Sequence, residues 1–113
     1  MAQAGRSPQV ETIEDRFKRD LLDISEQATK LHYYPARFVQ MIHELGAFPT
    51  AKALLIDADI QSGLVRLWEL GRLDLSLEAQ VLKPEYSSEF SDVERRSARE
   101  RLEKLGWPPS YPD

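Results

Sequence analysis

Asp57, Asp59 and Gln61 alternate along the chain as the first three ligands of a calcium loop do. Such a loop wants glycine at its sixth position and glutamate at its twelfth. Ser62 and Trp68 stand there instead, with Gly63 and Glu69 each one place late. The frame is wrong for a metal, and the segment reads as an interhelical loop whose aspartates cap the next helix. His32 and His43 are the only histidines. A catalytic or metal role for either needs an orienting carboxylate or further ligands in space. Glu44 follows His43 directly, but neighbours on a helix point about 100° apart, so it orients His43 poorly. There are no cysteines, no Gly-x-Ser-x-Gly elbow and no phosphate-cradling glycine loop. No catalytic residue, no metal and no cofactor is therefore expected.

Two groups of residues point to binding. Arg95, Arg96, Arg99, Arg101 and Lys104 form the one dense basic stretch, interleaved with Asp92, Glu94, Glu100 and Glu103. Many of these charges are four apart, the spacing of helical ion pairs. Arg95, Arg96 and Arg99 are the candidate nucleic-acid contacts. The net charge of -4 is the wrong sign for a protein that mainly grips phosphates. Tyr33, Tyr34 and Arg37 form the second group, with Trp68 as a further candidate. Aromatic residues and arginine are enriched at the centres of protein interfaces. The corner around Gly46 imitates a helix-turn-helix, but Lys52 falls where an inward apolar residue belongs and Pro49 interrupts the turn.

The elements that must position these residues are helices. Ser7-Pro8 or Thr12 can start the first. Ile13, Phe17, Leu21, Ile24, Ala28 and Leu31 then recur at spacings of three and four, one face of a helix of 3.6 residues per turn. Tyr33-Tyr34-Pro35 breaks it. Phe38, Met41, Ile42 and Leu45 make a second stripe, with Gly46 at the place of a left-handed cap. Pro49-Thr50 restarts a short third helix through Ile56, and a fourth runs from about Ser62 to Leu70, closed by Gly71. Ser76 caps a fifth that stops before Pro84, and Tyr86 to Phe90 can form one turn. Ser91 and Glu94 make a capping box for a sixth helix, with Val93, Ala98, Leu102 and Leu105 inward. Gly106 ends it, and Trp107 can pack back on Leu102. Leu73 to Leu77 alternates as a strand would, but lacks β-branched residues and reads as a loop with three buried leucines.

Two stretches echo each other. Ile42 to Phe48 parallels Leu67 to Leu73, and Thr50 to Ile56 parallels Ser76 to Leu82. Each reads as helix, glycine stop, apolar plug, hydroxyl cap and return helix. Two copies fall short of a solenoid. The runs Arg37 to Met41, Ala51 to Leu55 and Trp68 to Ala79 resemble a group of small all-helical bacterial proteins and appended domains with no assigned activity. The resemblance spans roughly Ile13 to Gly106. It implies a bacterial or phage source and a self-contained module, and no site residue.

The totals agree with one domain. The chain has 113 residues, of which 42% are apolar and 30% charged, enough for one core. The expected organisation is a disordered segment over 1–10, a helical domain over 11–107 and a flexible proline-rich tail over 108–113, in which Pro-Pro-Ser-Tyr-Pro could serve as an extended ligand. The expected fold is all-α, a single bundle of about five to six short helices with two helix–glycine–helix hairpins. No stretch has the length of a secretory core or a membrane span, and a cysteine-free chain fits a reducing cytoplasm. These features point to a non-catalytic interaction module acting through a protein partner or a second copy of itself. A nucleic-acid accessory protein and a small enzyme are the alternatives.

Overall fold

A computed structural model describes residues 11–56 and 62–107. The Asp57–Asp59–Gln61 pattern, the Ser7-Pro8 start and the proline-rich tail lie outside the described residues. Six α-helices appear among the described residues: α1 (Ile13–Lys30), α2 (Ala36–Leu45), α3 (Ala47–Ile56), α4 (Ser62–Glu69), α5 (Leu77–Val81) and α6 (Asp92–Lys104). Two 3-10 segments, Leu73–Leu75 and Pro84–Glu89, flank α5, and no strand is present among the described residues. The fold is an all-α bundle.

Thr12 is the cap that starts α1. Its hydroxyl accepts from the Asp15 amide while the Asp15 carboxylate accepts from the Thr12 amide, a reciprocal arrangement that satisfies two orphan donors. Ser91 and Glu94 do the same for α6. Phe17, Leu21, Ile24 and Ala28 of the first stripe are buried. Phe17 anchors an aromatic cluster: its ring stacks on Phe48 at 4.7 Å between centroids and meets Tyr86 and Phe90 edge-on at 4.8 and 5.6 Å. Such pairs add about 0.5–1.5 kcal/mol each beyond the area they bury. Leu73, Leu75 and Leu77 are buried as expected, in a 3-10 turn and the first residue of α5.

Four expectations are corrected. Gly46 is not a left-handed cap: its φ of 97° with ψ of 160° lies in a region open essentially to glycine alone, and α3 begins at the next residue. Pro49 and Thr50 therefore sit inside the first turn of α3, where proline's missing amide is harmless, and Thr50 is a buried helical residue rather than a cap. The two echoing stretches consequently diverge. The second has a true left-handed glycine, Gly71 at φ 71°, a 3-10 turn and a real cap, the Ser76 hydroxyl accepting from the Ala79 amide at 3.1 Å. Val93 is 67% exposed, because it lies five residues, or about 140° of rotation, from Ala98. The residue in phase with Ala98 is Glu94, whose carboxylate instead takes a 2.9 Å bond from Lys52 Nζ. Lastly, only Ile42 of the α2 stripe is buried; Phe38 and Met41 are half-buried and Leu45 is 52% exposed.

Candidate functional site

The partial exposure of Phe38 and Met41 has a geometric origin. Helix α1 ends in a Schellman turn, in which the Tyr33 amide donates to Ala28 O at 3.0 Å and the His32 amide to Thr29 O at 2.9 Å. The left-handed position is His32, at φ 68°. It is the one residue other than glycine with positive φ among the described residues. Helices α4 and α6 end the same way, but with Gly71 and Gly106 at that position. Tyr33, Tyr34 and Pro35 follow this turn and lead into α2. A cavity of about 270 Å³ opens between α1, α2, α4 and the start of α5.

Ile24 and Ala28 of α1, Phe38 and Met41 of α2 and Leu64 and Leu67 of α4 wall the cavity. Tyr33, Tyr34 and Arg37 all border it, so three residues singled out from the sequence are brought together here. Tyr33 is half-buried and burial pushes its hydroxyl pKa up. Its oxygen lies so close to Gly63 that a Cβ there would sit 2.3 Å from it. Tyr34 is 64% exposed at the rim. Trp68 does not border the cavity; it is 49% exposed on α4, one residue beyond Leu67.

Besides Tyr33, Tyr34 and Arg37, the polar residues Ser25 and Glu78 border the cavity. The Ser25 hydroxyl donates to Leu21 O at 2.8 Å. Glu78 is buried, and its Oε2 accepts from Arg101 Nη1 at 3.1 Å. Burial raises the Glu78 pKa, outweighing its bonds to its own backbone and to Arg101. Arg101 Nη2 also donates to Leu55 O at 3.3 Å, and Ser97 Oγ donates to the same carbonyl at 3.1 Å. This carbonyl lies in the last turn of α3, where a cation suits the helix dipole. The sequence reading missed Glu78 and placed Arg101 with the solvent-facing bases. A signal was present: Arg101 is three residues from Ala98 and four from Leu105, on the inward stripe.

The other basic residues of α6 divide. Arg95 donates to the carbonyls of Ser87 and Phe90, the latter at 2.6 Å, and pairs with Asp92. It locks the second 3-10 segment onto α6. Arg96 is exposed and Arg99 half-buried. Lys52 reaches from α3 to Glu89 O at 3.1 Å as well as to Glu94, and lies 5.0 Å from the centre of the Phe90 ring. His32 and His43 are both exposed. Among the described residues no group of three or more His, Cys, Asp or Glu is placed to hold a metal. No helix among them is long and apolar enough to cross a membrane.

No protein-family model, curated protein or solved structure matches the chain.

Proposed function

We propose that the chain is a non-catalytic helical interaction module whose first partner is a second copy of itself, docking through α2, α4 and the turn between α1 and α2. The supporting observation is the exposure of Tyr34, Leu45 and Trp68 on elements that share one cavity. Large aromatic side chains half in solvent are what a protein interface buries at its centre. Their polar surroundings carry both signs. Arg37 stands beside Tyr34. On α4, Arg66 pairs with Glu69 at 3.3 Å, and on α2 the Gln40 amide donates to Glu44 at 2.9 Å. A surface with both signs around an apolar centre can complement itself across a two-fold axis. Dilution followed by amide spectra tests the reading. Resonances of α2 and α4 should move with concentration while those of α6 stay; uniform insensitivity over the whole range would reject it.

The nucleic-acid reading rests on α6 and keeps less support. Arg95 and Arg101 are committed to partners within the molecule, and of the three candidate contacts Arg96 is the exposed one. That reading predicts salt-sensitive binding of a labelled duplex, weakened by Arg96→Ala with Arg99→Ala.

A further inference from the structure

We propose that α2 pairs antiparallel with α2 of a second copy of the chain, so that Arg37 of each copy meets Glu44 of the other across a two-fold axis beside Met41. This inference rests on the self-association proposed above and names the contact that sets its register. Helix α2 has an uncovered face. Of its ten residues only Ile42 is buried. Leu45 at its end is 52% exposed, and Tyr34, just before it, is 64% exposed.

The charges on that face complement themselves. Arg37 and Glu44 are both exposed. They lie seven residues apart, two helical turns less about 20°, so they share one side of α2 at about 10 Å along its axis. Met41 lies between them along the axis and about 40° of rotation from Arg37. The Arg37 guanidinium has no ion-pair or hydrogen-bond partner among the described residues. Glu44 accepts a 2.9 Å bond from the Gln40 amide, which holds the carboxylate without neutralising it. A two-fold axis perpendicular to α2 reverses the helix and keeps its sides, so whatever residue i meets, the reciprocal contact forms as well. Centred between Gln40 and Met41, the pairing sets position 37 opposite position 44 twice. On the other side of the contact Leu45 of each copy approaches Tyr34 and Phe38 of the other, apolar against apolar. A parallel pairing would instead set Arg37 against Arg37 and Glu44 against Glu44, and like charges across an interface suppress it.

The test is a charge-swap series on the full chain, read by sedimentation equilibrium: wild type, Arg37→Glu, Glu44→Arg and the double variant. Both positions are exposed, so the substitutions leave the core untouched. Each single reversal sets like charges against each other at both contacts and should weaken association roughly tenfold or more. An equimolar mixture of the two single variants should associate again, because each then offers the other opposite charges at both contacts. The double variant should associate as the wild type does. Single variants that associate like the wild type would overturn the antiparallel pairing while leaving self-association standing. So would a mixture or a double variant that stays at the 13.0 kDa of one chain. A wild type that never exceeds one chain would leave this face to a foreign partner and overturn both proposals.

Discussion

Glu78 and Arg101, 23 residues apart in sequence, meet at 3.1 Å with side chains only 4% and 7% exposed. The contact joins α5 to α6, and through Arg101 and Leu55 O it also ties both to the end of α3. Removing one member of such a pair strands a buried charge, whereas removing both can leave stability unchanged or higher. Arg101→Met should therefore lose about 3–5 kcal/mol in denaturant unfolding. The double variant Glu78→Met with Arg101→Met should recover most of that loss. Additive losses from the two substitutions would contradict the pairing.

The same carboxyl gives a signed pH dependence. Burial raises its pKa in the folded protein. Between the ordinary carboxylate value of about 4.3 and that raised value, the folded state holds a proton that the unfolded state has released. The Glu78 contribution to stability is therefore greatest in acid and declines as pH rises through this window. Asp74, held low by its hydrogen bond from Arg72, acts in the opposite sense. So does Glu94: desolvation pushes its pKa up, but bonds from the Ser91 amide and Lys52 outweigh it and leave it lowered. The stability these two add is present above the ordinary carboxylate range and is lost as pH falls. Comparing the wild type with Glu78→Gln isolates the first effect. The wild type's stability relative to the variant should fall towards neutral pH, and a relative rise would reverse the assignment.

Thr50 and Ser76 occupy matching places in the two echoing stretches and should respond differently to substitution. Ser76 caps α5, so Ser76→Ala should cost about 1 kcal/mol. The Thr50 hydroxyl is buried without a hydrogen-bond partner among the described residues. Thr50→Val keeps its shape and removes an unsatisfied polar atom, and should be neutral or stabilising. Thermal melts of the two variants decide this, and an equal loss in both would restore Thr50 as a cap.

Gly63 and Tyr33 form a steric pair. A Cβ at Gly63 would lie 2.3 Å from the Tyr33 hydroxyl but 3.5 Å from the carbon that bears it. Gly63→Ala should destabilise by about 1–3 kcal/mol, the range of an overpacked contact. Adding Tyr33→Phe should return most of that loss, because the remaining ring carbon is at ordinary contact distance. A double-mutant cycle with no coupling would show that the two residues do not touch.

Helix content, the caps at Thr12, Ser76 and Ser91, and the glycine endings at Gly71 and Gly106 were legible because each depends on a few neighbouring residues. The inward stripe of α1 was legible for the same reason: its period runs unbroken over five turns. What escaped depends on which elements meet. Arg101 looks like one base among five until α6 lies against α5, and Glu78 looks like an ordinary helical glutamate. Met41 and Phe38 read as core residues, yet they border an open cavity between α1, α2 and α4. Tyr33, Tyr34 and Arg37 do come together, whereas Trp68 stands apart on α4.

The account turns on α2 and α4 forming a surface that another copy of the chain covers. Sedimentation equilibrium over a wide concentration range tests that most directly, with Tyr34→Lys and Trp68→Lys as companions. The expected result is a mass that climbs above the 13.0 kDa of one chain as concentration rises and returns to it in both variants. A mass that stays at one chain throughout, or an association indifferent to both substitutions, would contradict it.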